Sequence, residues 1–241
     1  KALVEVPPLF ADLPPVNPDY RARRQTTDRF SRAKGLAEDV RYYGKWMREE
    51  AWRRIGTFYP SLNGKTVIAW LWARAVACPN PACRAEAPLV RSFWLSKKRG
   101  KEAYVVPEVE GGRVVFRVKT GAGAPPREGT VNRRGAQCLV CGTPIPLEHV
   151  RKEGQAGHMG ARLMAIVTEE AGGRGYHAPD PEHEVLAQDI LPTWKPDFEF
   201  AKNSRHMTPW VYGLGRFSDL FTPRQLLALA TFSDLVAEAR E

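Results

Sequence analysis

Apolar residues recur along this chain in two periods, and the change of period marks out its parts. Between residues 19 and 58 the step is three or four. Leu36, Val40, Tyr43, Met47, Ala51 and Ile55 share one stripe, with Arg41, Lys45, Arg48, Glu49 and Arg53 opposite, so amphipathic helix is expected. Gly35 is a point where this helix can divide in two, and Tyr42, Tyr43, Trp46 and Trp52 are expected to pack in a core. Residues 60–64 (PSLNG) are a turn. Beyond it the pattern is that of strands. Residues 66–77 (TVIAWLWARAVA) and 87–96 (APLVRSFWLS) each read as one strand, rich in β-branched and aromatic side chains. Residues 104–109 and 113–119 flank Glu110-Gly111-Gly112 and predict a hairpin, with Val114, Phe116 and Val118 on one face of its second arm. Residues 121–129 read as a loop, 163–168 as a short strand, and 171–197 as loop-rich. A last helix starts at Thr222-Pro223-Arg224-Gln225, with Thr as N-cap, Pro at the first helical position and Gln three on. Its apolar face is Leu226, Leu227, Ala230, Leu235 and Val236, expected to pack on something, even on protein beyond this chain.

The proline-rich start (Pro7-Pro8, Pro14-Pro15, Pro18) is expected to run extended over a surface. The fold class is therefore α+β, with helical flanks around a small antiparallel β-sheet module. Its parts are a proline-rich and helical segment over 1–62, the β module over 63–168, and a loop-rich segment with the C-terminal helix over 169–241.

The four cysteines bring chemistry to the β module. They form two short pairs, Cys78-Pro-Asn-Pro-Ala-Cys83 and Cys138-Leu-Val-Cys141. Two such turns supply the closed thiolate tetrahedron that structural Zn²⁺ prefers, so zinc is the expected cofactor and Cys78, Cys83, Cys138 and Cys141 its ligands. Gly142 can take the positive φ a knuckle needs, and Pro79 and Pro81 stiffen the first turn. A pair of disulfides is the rival reading. No apolar leader is visible, and four cysteines are few for a secreted scaffold of 241 residues. A thioredoxin-like site would sit in a βαβ pattern, which is missing here. The histidines, His149, His158, His177, His183 and His206, are not needed as ligands, and none has the H-x₃₋₅-H spacing of a finger.

Charge then distinguishes the part of the chain that contains the cysteines. Residues 61–160 carry 16 Lys/Arg against 7 Asp/Glu, a surplus as large as the net +9 of the whole chain. A basic surplus on one module is the footprint of a polyanionic partner. The candidate nucleic-acid contacts are Lys97, Lys98, Arg99 and Lys101 after the second strand, Asn132, Arg133 and Arg134 before the second knuckle, and Arg151 and Lys152 after it; the Lys and Arg would grip phosphates, and Asn132 and Arg133 have the geometry to read a base, beside the plain loop reading. All are expected near sheet ends, where they can converge on one face. No apolar run approaches membrane-span length, so no membrane partner is expected and the location is expected to be cytoplasmic. The chain opens on Lys rather than Met, and a fragment or processed product is expected.

With these motifs in view, the chain resembles the adenine-specific DNA methylases that contain a zinc ribbon. The resemblance rests on TVIAWLWARAVACPNPACRAEAPLVRSFWLS (66–96), GTVNRRGAQCLVCGTP (129–144), FTPRQLLALATFSDLVAEARE (221–241) and the opening ALVEVPPLFADLPPVNP. The cysteine pairs are generic; the longer strings are more specific. The resemblance implies a class I methyltransferase-type parent that moves a methyl group from S-adenosylmethionine to the exocyclic amine of a flipped adenine. Such chemistry needs an Asp/Asn-Pro-Pro-aromatic turn, and this chain has only Asn17-Pro18-Asp19-Tyr20, read here as a plain turn. It also lacks a Gly-rich cofactor loop after a strand; Gly154, Gly157 and Gly160 read as a loop or helix start. The expected role is the zinc-ribbon, DNA-engaging region of such an enzyme. S-adenosylmethionine would be bound by the parent alone, and the partners would be double-stranded DNA and the remainder of the methyltransferase chain. The rival readings are a zinc-stapled protein-interaction module and an RNA-binding ribbon.

Overall fold

A computed structural model describes residues 4–25, 28–201 and 208–240 of the chain. His206 and the first residues of the opening string lie outside them. Two units are distinguished: Phe58–Leu226, and Lys1–Thr57 together with Leu227–Glu241.

The Phe58–Leu226 unit is framed by two strands of 11 residues, β1 (Val67–Ala77) and β9 (Gly160–Glu170). They pair antiparallel, with register shifts between Val67 and Ala69 and between Leu71 and Trp72. β2 (Glu86–Leu89) flanks β1 and β10 (Gly173–His177) flanks β9, giving the order β10-β9-β1-β2. Residues 163–168 are all buried, because a central strand is covered on both faces. A second sheet holds β3 (Trp94–Ser96), β4 (Ala103–Glu110) and β5 (Arg113–Thr120). β4 and β5 form the expected hairpin. Gly111 (φ 56°) and Gly112 (φ 76°) supply the two positive φ angles of a type I′ turn. A third small sheet comprises β6 (Val131–Asn132), β7 (Gly135–Gln137) and β8 (Pro144–Pro146).

Residues 87–96 are not one strand. They leave the first sheet at Leu89 and join the second at Trp94. The hydroxyl of Thr130 accepts from Val90 N at 2.8 Å, and Val90 O accepts from Thr130 N at 2.7 Å and Val131 N at 3.1 Å. These bonds take Val90 out of the ladder. Phe93, fully buried, then anchors the crossing among Ala73, Val105, Val114, Phe116, Met164 and Ala165. Residues 171–197 also hold more structure than a loop: β10 and α5 (Pro181–Gln188). Asp180 caps that helix by accepting from Glu182 N and His183 N. Gly154 belongs to α4 (Leu147–Gln155), and a Cβ there would strike the Tyr212 carbonyl, which fixes glycine at this close approach.

In the other unit the proline-rich start is not extended throughout: a helical turn, α1 (Val6–Leu9), covers Pro7-Pro8, and α2 (Pro18–Arg23) opens on Pro18; α3 (Lys34–Ile55) follows. Asn17 is thus a helix cap and not a plain turn: its side chain accepts from Tyr20 N at 2.8 Å and donates to Asp39 at 2.8 Å. Gly35 does not divide α3. It sits in its first turn, where a Cβ would strike the Leu13 carbonyl. Along α3 Ala51 and Ile55 are buried, but Val40 is 63% exposed, and Trp52 is 65% exposed with its ring lying over Gly56. Arg54 ties the end of α3 to the last helix, α6 (Pro223–Glu238), through Glu238 at 2.6 and 2.7 Å, while also bonding Glu50 at 2.7 Å. Hydrogen bonds from Arg53 and Arg54 hold the Glu50 carboxyl at about 2.

The start of α6 is as expected: Thr222 Oγ1 accepts from Gln225 N at 3.3 Å and Gln225 Oε1 from Thr222 N at 2.9 Å. Val236, expected inside, is 61% exposed, and Leu229 and Phe232 share its solvent-facing side.

Truncating the anchor of the crossing tests this account. Phe93→Ala is expected to cost about 3–5 kcal/mol, read as a lower urea midpoint at unchanged slope.

Candidate metal centre and basic surface

β1 delivers the first knuckle and the turn after β7 the second. Cys78 N donates to Ala85 O at 2.9 Å, and Cys83 N and Arg84 N both donate to Asn80 O at 3.0 Å, which closes the first turn. In the second, Cys138 N donates to Thr143 O and Gly142 N to Cys138 O, each at 3.0 Å. Gly142 has the expected positive φ, 75°. Arg84 holds the corresponding place after Cys83 and is also left-handed, with φ 47°. An L side chain there costs roughly 1–2 kcal/mol, so the turn geometry is imposed by what surrounds it.

The four sulfurs lie within 4.8 Å of one another. Cys78 Sγ is 3.6 Å from Cys141 Sγ, and Cys83 Sγ is 4.0 Å from Cys138 Sγ. Both separations are far beyond a disulfide bond, and all four cysteines are free in this structure. They bracket the ~3.8 Å edge of a tetrahedron with four ~2.3 Å zinc–sulfur bonds. The donor set, its size and its shape suit a metal ion such as zinc.

The polarity around the sulfurs is graded. Backbone N–H groups two residues on, of Asn80, Ala85 and Thr143, point at Cys78, Cys83 and Cys141. Cys78 and Cys138 are buried, within an apolar cluster of Val76, Ala87, Ala136, Ile145 and Val150. Burial pushes the Cys78 thiol up to about 12. Cys83 is raised as well: the Ala85 N–H pulls it down, but burial and the neighbouring sulfurs outweigh it. The exposed Cys141 is drawn down to about 6, chiefly by the Thr143 hydroxyl 3.1 Å away. Thr143 also accepts from Asn80 Nδ2 at 3.4 Å, so one hydroxyl links the knuckles. Sequence reasoning missed Asn80 and Thr143. Their positions inside or just after the cysteine turns were the available signal.

The basic residues fall on three elements. Lys97, Lys98, Arg99 and Lys101 form the exposed turn after β3; Lys97 Nζ sits 5.6 Å from the Trp94 ring centre and Lys101 donates to Gly172 O. Arg133 and Arg134 are exposed in the β6–β7 turn, where Asn132 accepts from Arg134 N at 2.8 Å and so spends its carbonyl oxygen locally. Arg151 and Lys152 are on α4 and not at a sheet end, because residues 147–155 turn helical to bury Val150 and Gly154. Arg151 lies 5.8 Å from the centre of the Tyr212 ring. Among the described residues no hydrogen bond or ion pair joins one cluster to another.

No family model, no curated protein and no solved structure matches this chain. No described helix is long and apolar enough to cross a membrane.

Two outcomes test the centre. Purified protein should carry about one zinc per chain, and Cys138→Ser should lose it and lower the thermal midpoint. Metal-free folded protein of unchanged stability would refute the site. In freshly chelated protein at neutral pH, Cys141 is expected to react first with iodoacetamide and Cys78 last. The Cys141 rate should fall as pH drops through about 6, where its thiolate is protonated. Zinc affinity should weaken over the same interval, because protons then compete for a ligand that is ionised above it.

Proposed function

We propose that this chain is the zinc-ribbon, DNA-engaging region of an S-adenosylmethionine-dependent, adenine-specific DNA methyltransferase. The observation that carries the reading is the coincidence of metal and charge. The four thiols staple the two ends of a segment that lies within residues 61–160, where the whole net charge of the chain is concentrated. A metal that closes two turns contributes rigidity rather than chemistry when all four positions are thiolates, which leaves no open site for a substrate. Zinc is the ion best suited to this set.

The adenine methyltransferase assignment rests on the resemblance of the strings around the cysteines. The absence of an Asp/Asn-Pro-Pro-aromatic turn supports a role in placing DNA for an active site built by the rest of the enzyme. The nearest candidate, Asn17, has its amide committed to Asp39 and Tyr20. Exposed apolar side chains of the helical unit, Leu9, Leu13, Val40, Trp52 and Val236, favour packing against that remainder.

The test is a salt titration of duplex binding by the zinc-loaded chain. The log–log slope of affinity against salt is expected to be about −0.9 per phosphate contacted. A slope near zero would remove the DNA reading, and preference for RNA of the same sequence would favour an RNA-binding ribbon.

A further inference from the structure

Three arginines that are far apart in sequence line one cleft beside the first knuckle. Arg84 comes from the turn that closes Cys78 and Cys83, Arg113 from the tip of the β4–β5 hairpin, and Arg162 from β9. The cleft has a volume of about 580 Å³, ample for a phosphoryl group with its water. The one carboxylate on its wall is Glu86, which pairs with Arg162 at 3.1 Å; Glu184 holds the same arginine at 3.4 Å. Arg162 is thereby fixed in place. Arg84 and Arg113 make no ion pair among the described residues.

We propose that this cleft is a phosphate-binding site, distinct from the lysine- and arginine-rich turns that the linear sequence singles out. Its chemistry selects the ligand. A planar carboxylate is satisfied by one guanidinium fork, whereas a tetrahedral anion with several charged oxygens can engage more than one fork at once. Gly111 and Gly112 complete the wall, and without side chains they let an anion approach the turn backbone. Arg84 is held left-handed where the companion knuckle uses glycine, so a charged side chain is retained at a strained position facing the cleft. The phosphate can belong to a duplex backbone or be free in solution.

The experiment titrates zinc-loaded protein with sodium pyrophosphate by calorimetry and with a labelled duplex by anisotropy. R113E, remote from the cysteines in sequence, and R84E/R113E are compared with K45E/R48E, which changes charge on α3. Circular dichroism and zinc content confirm folding, and R113E carries the test if the double variant loses metal. Pyrophosphate affinity is expected to drop about tenfold or more in both cleft variants and to stay unchanged in K45E/R48E. Unchanged binding in the cleft variants, an equal loss in K45E/R48E, or no pyrophosphate binding by the parent would each overturn the site. The two phosphate sources separate cleanly. Loss of both probes in the cleft variants assigns the cleft to a nucleic-acid backbone. Loss of pyrophosphate binding, with a duplex that never binds, keeps the cleft for free phosphate and removes the DNA reading. Salt-dependent duplex binding that ignores the cleft mutations removes the cleft and keeps the DNA reading.

Discussion

Four sulfurs held within 4.8 Å cannot all be thiolates unless a cation lies among them. Like charges at 3.6 and 4.0 Å repel, and two of the four are buried where a charge is least tolerated. The chain answers part of this itself. It donates backbone N–H groups at Asn80, Ala85 and Thr143 and sets the Thr143 hydroxyl against Cys141. A metal ion such as zinc would supply the rest. Without one, the protons stay on Cys78 and the sulfurs are merely neighbours.

Much of the Phe58–Leu226 unit is arranged around that constraint. Cys78 and Cys138 are members of the apolar cluster that joins β1 and β2 to the β7–β8 pair and α4. The candidate metal ligands are therefore core residues too, and the thiol burial that raises the Cys78 pKa is the burial that packs Ile145 and Val150. His149, on the first turn of α4, places its Nε2 2.8 Å from Ala77 O, one residue before the first ligand. Helix, sheet and knuckle share their boundaries there, so loss of a metal held by the cysteines would be transmitted into packing.

The sequence was legible wherever one local signal decided the outcome. Thr222 with Gln225 announces a helix start, two adjacent glycines announce a tight hairpin, and Gly142 after Cys141 announces a knuckle. It was opaque where a distant partner decides. Nothing in residues 87–96 shows that Thr130 will pull Val90 off its ladder, and period alone cannot put Val40 and Trp52 in solvent when the stripe predicts them inside. Asp180-Pro181 carries the same kind of start signal as Thr222-Pro223, yet the segment after it has a weak apolar period, with Val185 exposed and Ala187 buried. Arg84, Arg113 and Arg162 are single residues in unremarkable surroundings. Only the fold makes them a group, whereas the conspicuous runs at 97–101, 133–134 and 151–152 remain apart on separate elements.

The β4–β5 hairpin works as a ruler. Its inner face is held in the core along the whole arm, by Val105 near the base, Phe116 midway and Val114 beside the turn, and its tip is the two glycines. Because strand register advances in steps of two, the arm can be lengthened or shortened only in pairs of residues if its inner face is to stay inside. Each such step would carry Arg113 about two residues along the strand, roughly 7 Å, away from Arg84. Natural variation in this arm would then be quantised: sequences that keep its length keep the reach of that arginine, and those that change it acquire a different geometry at the cleft while the cysteine turns stay as they are.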